Sequence, residues 1–241
     1  MLHIVQFSGG AASALVAKMV ADEYGKENTI LLFHDTKAEH EDAYRFRRQV
    51  SKFVGIPITE VSDGRSLWEV IDDHHSLPSY HIPFCTDDLK LKQAEKYLKQ
   101  FKPNEFILYN GFGPDEWQRI QRAVARAEAV NRTVKSPLFE KRISNAKDII
   151  RNKWRICLPE PYKYLKHNNC IPCFKAGLGH FHKCWKYYPE RFQMAIEKEK
   201  QIGHTVFQEG SLEEYARIWK HNDRQMELDF GDDGVPCMCA L

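Results

Sequence analysis

The sequence LHIVQFSGGAAS at residues 2–13 combines a predicted strand, a glycine turn and the start of a predicted helix. Residues 2–7 are mainly apolar and partly β-branched, which predicts a short buried strand. The strand runs directly into Ser8-Gly9-Gly10, and residues 11–24 then show the apolar spacing of a helix. Paired glycines between a strand and a helix let the backbone approach a ligand closely. This turn is therefore the first candidate binding element.

Two interpretations of the glycine turn are open. In one, the N–H groups at the start of the helix form an anion site, to which the hydroxyls of Ser8 and Ser13 add donors. In the other, the segment is only a tight strand–helix turn with a serine cap. The anion site is favoured because ligands of open α/β sheets bind at the carboxyl ends of the strands.

Apolar and helical segments alternate along the first half of the chain. Further strands are predicted at residues 29–33, 57–61 and 105–109, and further helices at residues 41–54, 66–72, 87–101 and 115–130. Strands that alternate with helices of this length are typical of parallel βαβ units. We therefore expect an α/β fold, with a Rossmann-like parallel sheet that carries helices on both faces.

The pattern changes after Ser136, where prolines become frequent and four of the seven cysteines lie within residues 157–184. Helices are predicted again near residues 189–200 and 212–220. The chain is thus expected to form an α/β domain over residues 1–140 and a mainly helical, cysteine-bearing region over residues 141–230. A mobile tail over residues 231–241, with Cys237 and Cys239, completes the prediction.

Composition excludes several classes of protein. Of 241 residues, 43% are hydrophobic, which is enough to fill a core and excludes wholesale disorder. The net charge of +2 gives no reason to expect a polyanion over the whole surface. No segment approaches the ~18 apolar residues of a membrane span, and the first residues lack the pattern of a signal peptide. We expect a cytoplasmic protein with no membrane partner.

The seven cysteines are the unusual feature. An odd number in a reducing cytosol argues against structural disulfides and leaves packed thiols, a metal or cluster, or redox chemistry. Cys170-x-x-Cys173 brings two thiolates within reach of one metal, although a dithiol switch or two packed cysteines are alternatives.

Six segments carry a family resemblance when they are taken together and in order. They are Ser8-Gly9-Gly10-x-x-Ser13, Phe33-His34-Asp35-Thr36 with Glu39, Phe84-Cys85-Thr86-x-x-Leu89-Lys90, Asn110-Gly111-Phe112-x-x-Asp115-Glu116-x-x-Arg119, Ser136-Pro137-Leu138, and His167-Asn168-Asn169-Cys170-x-x-Cys173-x-Lys175-x-Gly177-x-Gly179. The set resembles the phosphoadenosine phosphosulfate (PAPS) reductase family of the PP-loop superfamily, in the bacterial and phage members that carry CxxC. The loop of that family usually reads SGGKDS, so Ala11 and Ala12 remove one cation and one carboxylate.

The resemblance implies an adenine-nucleotide α-hydrolase-like fold that binds ATP or an adenylyl sulfate such as PAPS. The implied nucleotide-binding residues are Ser8, Gly9, Gly10, Ser13, His34, Asp35 and Thr36. The implied catalytic residues are Lys90, Glu116 and Arg119, of which the two cations would offset phosphate or sulfate charge. The alternatives are a favourable interaction with the helix dipole for Glu116 and a solvated helix charge for Arg119. A Mg²⁺ ion bound together with the nucleotide is also compatible with the resemblance.

The resemblance also implies an iron–sulfur cluster, [4Fe–4S], on Cys85, Cys170 and Cys173. Reductases with this cluster carry a Cys-Cys pair in the first segment, where this chain has Phe84-Cys85. The fourth ligand is therefore Cys157 or Cys184, or one iron is open, and Cys157 is the residue that we assign. Cys184 is better explained as a packed thiol, and a four-ligand zinc site is the alternative to the cluster.

The sequence thus predicts a PP-loop enzyme that performs sulfur transfer or sulfonucleotide reduction, with a sulfur donor or a thiol reductant as partner. A homo-oligomer is expected. The alternative is a nucleic-acid-associated module of the same fold with a structural cluster or zinc, since lysines alternate with aromatic residues in the second half. The lysines are Lys163, Lys166, Lys175, Lys183 and Lys186, and the aromatic residues are Tyr162, Tyr164, Phe174, Phe181, Trp185, Tyr187 and Tyr188.

Overall fold

The computed structural model describes residues 1–222. The predicted tail over residues 231–241, with Cys237 and Cys239, lies outside the described residues, as does the end of the region predicted over residues 141–230. Among the described helices, none has the length and apolar content that crossing a membrane requires.

Five parallel strands form one sheet in the order β3-β2-β1-β4-β5. The strands are β1 (Leu2–Gln6), β2 (Thr29–Asp35), β3 (Ile58–Ser62), β4 (Phe106–Tyr109) and β5 (Thr133–Lys135). The predicted Rossmann-like parallel sheet is confirmed. β5 has no counterpart in the sequence prediction, because three residues are too few to show a strand period.

The helices connect these strands and continue into the second half. They are α1 (Ala11–Tyr24), α2 (Glu41–Val54), α3 (Leu67–His74), α4 (Phe84–Thr86), α5 (Lys92–Leu98), α6 (Trp117–Glu128), α7 (Pro137–Glu140), α8 (Ala146–Asp148), α9 (Leu178–Tyr187), α10 (Pro189–Ile202) and α11 (Leu212–Asn222). The helix predicted over residues 87–101 is interrupted by a π-turn at Asp87–Leu91. There the side chain of Gln93 donates to the Asp88 carbonyl at 2.9 Å, and such insertion of a side chain interrupts the regular helical ladder.

Both faces of the sheet are covered, as predicted. Val5 and Leu31 pack with α1 and α2 on one face. Ile4 and Leu32, their neighbours along the strands, pack with Leu98 of α5 on the other face. Successive side chains of a strand point to opposite faces, so this alternation follows from the apolar runs in the sequence.

The helices of the second half share a core with α3. Phe181 and Cys184 of α9, Phe192 of α10 and Trp219 of α11 are buried with Ile71 of α3. The second half is therefore packed against the α/β unit and is mainly helical over the residues described.

The order in which strands are added to the sheet reverses between β1 and β4. β2 and β3 lie on one side of β1, and β4 then pairs with its other side, with Val5 opposite Tyr109. The segments that leave the carboxyl ends of β1 and β4 are consequently neighbours. A crevice at such a switch point is where open α/β sheets bind ligands.

Candidate functional site

The glycine turn after β1 forms one wall of the site. Gly9 has a φ of +74°, and a Cβ there would lie 2.9 Å from Cγ and Cδ of Arg47, so both conformation and space require glycine. The hydroxyls of Ser8 and Ser13 are 3.1 Å apart, and Ser13 Oγ donates to the Gly10 carbonyl at 3.0 Å. The turn, which we call the phosphate loop (residues 8–13), presents the first N–H groups of α1 together with two hydroxyls.

The segment after β4 packs directly against this loop. A Cβ on Gly111 would lie 2.8 Å from the backbone nitrogen of Ser13, so only glycine fits here. Next to it, Asn110 Oδ1 accepts from the Phe112 N–H at 3.2 Å and from the Ser136 hydroxyl at 2.9 Å. Asn110 Nδ2 is buried and has no hydrogen-bond partner. A buried amide with two unused protons is unfavourable unless a ligand accepts from it.

A cavity of about 730 Å³ lies between the two segments, a size common for small-molecule sites. Its lining includes the phosphate loop, residues 110–116, residues 143–148 and residues 166–169. Its cationic residues are Lys90, Arg119, Lys147, Arg151 and Lys166, and its acidic residues are Glu39, Asp115, Glu116 and Asp148.

The three predicted catalytic residues all line this cavity. Glu116 Oε2 accepts from the Gly113 N–H at 2.8 Å, and Glu116 Oε1 forms an ion pair with Arg119. The Arg119 guanidinium also lies over the Phe112 ring, 4.1 Å from its centroid. These contacts fix the direction of Arg119, and an oriented guanidinium is suited to a phosphate or sulfate group.

His34, Asp35 and Thr36 do not line the cavity, so their assignment to the nucleotide stays a prediction. The Asp35 carboxylate accepts from the Tyr44 hydroxyl at 2.6 Å and from the Lys37 N–H at 3.0 Å. Burial, with a smaller contribution from the Lys90 charge, lowers the pKa of His34 to about 3. The reason for their position is topological, since β2 lies on the side of β1 opposite to β4.

A buried ion pair packs against the phosphate loop. Arg47 of α2, whose side chain is 2% exposed, pairs through Nη1 with Glu39 Oε2 at 2.5 Å. The guanidinium carbon lies 3.7 Å from the centroid of the Phe33 ring. Burial raises the pKa of Glu39, and the Arg47 charge opposes that rise. Arg47 packs against Gly9 and Glu39 lines the cavity, so this ion pair links the phosphate loop to the cavity wall.

The three predicted cluster ligands lie near one another. Cys170 Sγ is 3.5 Å from Thr36 Oγ1, and the next residue, Ile171, donates its N–H to the Ala38 carbonyl at 3.1 Å. Burial raises the pKa of Cys85 to about 12, Lys175 opposes this, and the charges of Cys173 and Cys170 add to the rise. Burial likewise raises the pKa of Cys170.

The structure does not bring Cys157 to these thiols. Cys157 is exposed, and its carbonyl accepts from Arg45 of α2 at 3.1 Å. Cys184 is buried instead, with a pKa that burial and then the Cys173 charge raise. Its thiol lies 3.4 Å from His180 Nε2, the nitrogen that also accepts the Cys173 N–H at 2.9 Å. Of the two candidates for a fourth ligand, Cys184 is therefore the one that neighbours the CxxC segment.

The donor chemistry fits a soft metal or an iron–sulfur cluster, since Cys85, Cys170 and Cys173 are thiols. Within residues 1–222, however, no three Cys, His, Asp or Glu side chains are arranged around one point as metal ligands. The raised pKa values of Cys85 and Cys170 favour the protonated thiols, and ligation requires their deprotonation. The cysteines therefore form a suitable donor set and not a preformed metal centre.

The cysteine segment is docked onto the phosphate loop. Asn168 Nδ2 donates to the Gly9 carbonyl at 3.1 Å, and Asn168 Oδ1 is buried without a hydrogen-bond partner. The Ala11 N–H, at the start of α1, donates to the Tyr162 hydroxyl at 3.1 Å. The second half therefore completes the wall of the cavity. No local pattern in the sequence indicates these contacts, although Asn168 belongs to a segment that carries the family resemblance.

Part of the predicted nucleic-acid surface is inside the protein. Lys175 is buried and donates from Nζ to Thr86 Oγ1 at 2.5 Å. The rings of Phe174, Phe181 and Tyr188 are buried in the core of the second half. These four residues are consequently not exposed to stack on bases or to bind phosphates.

Comparison with known proteins identifies related sequences. A family model described as the phosphoadenosine phosphosulfate reductase domain matches residues 3–136. The "Uncharacterized nin region protein ORF290" of Escherichia phage lambda is 31% identical over 148 residues, which cover 50% of this chain and 51% of that protein. The chain thus spans about half the length of this curated relative. The matched range of the family model contains the phosphate loop, Cys85 and Arg119, and it ends before Cys170.

Proposed function

Since the chain belongs to the phosphoadenosine phosphosulfate reductase domain family, we propose that it is an enzyme that binds an adenine nucleotide and performs sulfur chemistry on it. The nucleotide is ATP or an adenylyl sulfate. It lies in the cavity at the carboxyl ends of β1 and β4, with its phosphate or phosphosulfate group against the phosphate loop.

Three features support a nucleotide at this position. The cavity lies where the strand order reverses, and it begins at the N-terminus of a 14-residue helix. Asn110 Nδ2 and Gln6 Nε2 line it and are buried without hydrogen-bond partners. Buried donors of this kind match a ligand that is rich in acceptors, such as a nucleotide.

Arg119 and Lys90 are the residues that offset negative charge in the reaction. Both line the cavity, and Arg119 is held in one orientation by Glu116 and Phe112. A positively charged group that is oriented before the reaction stabilises charge that develops on a phosphate or sulfate oxygen. Glu116 acts here as a positioning residue.

The hydrogen bond from Asn168 to Gly9 carries the proposal, because it links the phosphate loop to the segment that contains Cys170 and Cys173. Only Asn169 separates Asn168 from Cys170 in the sequence. We infer that Cys85, Cys170 and Cys173 hold an iron–sulfur cluster, with Cys184 as the candidate for a fourth ligand and zinc as the alternative metal. When bound, such a cluster supplies electrons or an iron that binds sulfide. The chain's own residues bind the nucleotide and hold it next to these thiols.

Two reactions fit this arrangement. In the first, a thiol attacks the sulfur of an adenylyl sulfate, the bond from sulfur to the bridging oxygen breaks, and a second thiol then releases sulfite as a disulfide forms. In the second, ATP adenylates an oxygen of an acceptor and releases pyrophosphate, and sulfide-level sulfur from a donor then replaces that oxygen, which leaves with AMP. The first requires a thiol reductant and the second a sulfur donor. Lys163 and Lys166 are exposed, and such lysines can contact phosphates. The assays should therefore include a nucleic acid as one of the acceptors.

Anaerobic purification tests the cysteine assignment. We expect bound iron with acid-labile sulfide and visible colour, which are lost in Cys85→Ser, Cys170→Ser and Cys173→Ser but kept in the matched control Cys157→Ser. A colourless protein that holds stoichiometric zinc contradicts the cluster, and iron loss in Cys157→Ser contradicts the chosen set.

Turnover separates the two reactions. The anaerobic protein is incubated with PAPS and a dithiol, and separately with ATP, a sulfide source and candidate acceptors. Sulfite in the first mixture identifies a reductase, and AMP with a thiolated acceptor in the second identifies a sulfurtransferase. No product in either mixture contradicts the proposed activity.

A further inference from the structure

The phosphate loop lacks a cation of its own, because Ala11 and Ala12 are the residues at its centre. We propose that Tyr162 and Lys147, two residues of the second half, complete the oxyanion site of this loop. Their ligand is the phosphate or sulfate group of the bound nucleotide. This inference rests on the proposed function, and it names the residues that select an anionic nucleotide over an uncharged nucleoside.

The Tyr162 hydroxyl occupies the mouth of the phosphate loop. It accepts the Ala11 N–H at 3.1 Å. A phenol oxygen offers two acceptor positions and one proton. The Ala11 N–H occupies one acceptor position, so the phenol keeps its own proton to donate to a group in the cavity, which Tyr162 lines. The Tyr162 hydroxyl thus accepts the Ala11 N–H and offers its own proton to the cavity in place of that backbone donor.

The position of Tyr162 is fixed from both sides. A Cβ on Gly10 would lie 3.2 Å from the Tyr162 hydroxyl oxygen, so this glycine leaves the hydroxyl close to the loop. On the other side, the Glu160 N–H donates to Asp42 Oδ2 of α2 at 2.8 Å, and the Glu160 carboxylate lies 3.1 Å from His40 Nε2. The turn that carries Tyr162 is therefore anchored to α2, and the hydroxyl is held in place before a ligand arrives.

Lys147 provides the charge. Its ammonium nitrogen lies 4.2 Å from the centroid of the Tyr162 ring and donates to the Lys166 carbonyl at 2.9 Å. An ammonium has three protons to donate, so this single carbonyl does not use its capacity. Lys147 also lines the cavity. It therefore occupies the same wall as the Tyr162 hydroxyl, with protons to spare for an anion.

The charges around Lys147 favour a negative ligand. Burial lowers the pKa of Lys147, the charges of Arg151 and Lys166 lower it further, and Asp148 opposes them. Repulsion among cations on a partly buried wall is relieved when an anion binds between them. Two of the four acidic residues that line the cavity are already paired with other cations, Glu116 with Arg119 and Glu39 with Arg47.

Binding measurements with matched variants test the inference. Wild type, Tyr162→Phe and Lys147→Met are titrated with ATP, PAPS and adenosine, and thermal melting verifies that each variant is folded. We expect the affinity for the preferred phosphate-bearing ligand to fall about tenfold in each variant, while the affinity for adenosine is unchanged. Tyr164→Phe, in the same turn but outside the cavity lining, and exposed Lys153→Met are the controls and should bind as wild type.

Each result has one meaning. If wild type binds a nucleotide and both variants bind it equally well, the inference is wrong and the proposed function stands. Tighter binding by Tyr162→Phe also overturns it, because the hydroxyl then only blocks the Ala11 N–H. If wild type binds neither ATP nor PAPS, the proposed function fails and this inference fails with it.

Discussion

The side-chain amide of Asn168 donates to the carbonyl oxygen of Gly9 across 3.1 Å, and it joins positions that lie 159 residues apart in the sequence. Gly9 belongs to the phosphate loop, and Asn168 precedes the CxxC segment by two residues. Any displacement of the cysteine segment therefore acts on the loop. This contact connects the wall of the cavity with the segment that carries Cys170 and Cys173.

Asn168→Asp replaces the donor with a carboxylate that faces the Gly9 carbonyl. We expect the free energy of unfolding to fall by about 1–3 kcal/mol, because both oxygens are buried and repel each other. Nucleotide affinity should fall as well, and both are measured by chemical denaturation and titration calorimetry. Asn152→Asp, at an exposed position outside the cavity, is the control. An Asn168→Asp protein with wild-type affinity contradicts the coupling of the two segments.

Gly111→Ala tests the close approach between the segment after β4 and α1. The added methyl group lies 2.8 Å from the Ser13 nitrogen, so the backbone has to move. We expect a loss of about 1–3 kcal/mol in stability, as for other overpacked sites, and weaker nucleotide binding. Gly113→Ala is the matched control for the loss of stability, since its methyl group meets no atom closer than Glu116 Oε2 at 3.8 Å. Equal effects of the two changes contradict this account of the loop.

Arg47→Met leaves Glu39 as an unpaired carboxyl in a buried position. Removal of one partner of a buried pair costs about 3–5 kcal/mol, so the unfolding midpoint should fall sharply in denaturant. Exposed Arg48, the next residue of α2, provides the control variant Arg48→Met, which should be close to wild type. The double variant Arg47→Met with Glu39→Gln should recover part of the loss, and no recovery speaks against an ion-pair role.

The lowered pKa of His34 predicts that the free energy of unfolding depends on pH. Its pKa is about 3 in the folded chain against an ordinary value of 6.5, so below pH 6.5 the unfolded chain binds a proton that the folded chain does not. The free energy of unfolding should therefore decrease as the pH falls from 6.5 towards 5, by up to about 1.4 kcal/mol per pH unit. His34→Gln should reduce this slope, and His204→Gln, at an exposed position, should not. Equal slopes in all three proteins contradict a buried neutral imidazole.

The sheet could be predicted because its determinants are local. Apolar runs of five to seven residues alternate with helical periodicity, and this alternation implies parallel strands with helices on both faces. The phosphate loop and Glu116–Arg119 follow strand ends in the sequence, so they too could be placed at the edge of the sheet. The order of the strands needed the structure, and it explains why His34, Asp35 and Thr36 lie outside the cavity.

The contacts between the two halves could not be predicted in this way. The bonds from Asn168 to Gly9 and from Ala11 to Tyr162 join residues more than 150 positions apart, and such contacts have no periodic signature. The buried position of Arg47 could not be predicted either, because a charged residue in an amphipathic helix is usually solvated. The position of Cys157 beside Arg45, away from the other thiols, is likewise a tertiary result.

Titration calorimetry of the anaerobically purified protein with PAPS and with ATP measures whether the cavity binds a nucleotide. We expect saturable binding of one nucleotide per chain for at least one of the two ligands. Binding should be weakened at least tenfold by Ser8→Ala with Ser13→Ala, and it should be unchanged by Ser76→Ala, which lies outside the cavity. The absence of saturable binding to either ligand, or equal binding by the Ser8/Ser13 double variant, would contradict this expectation.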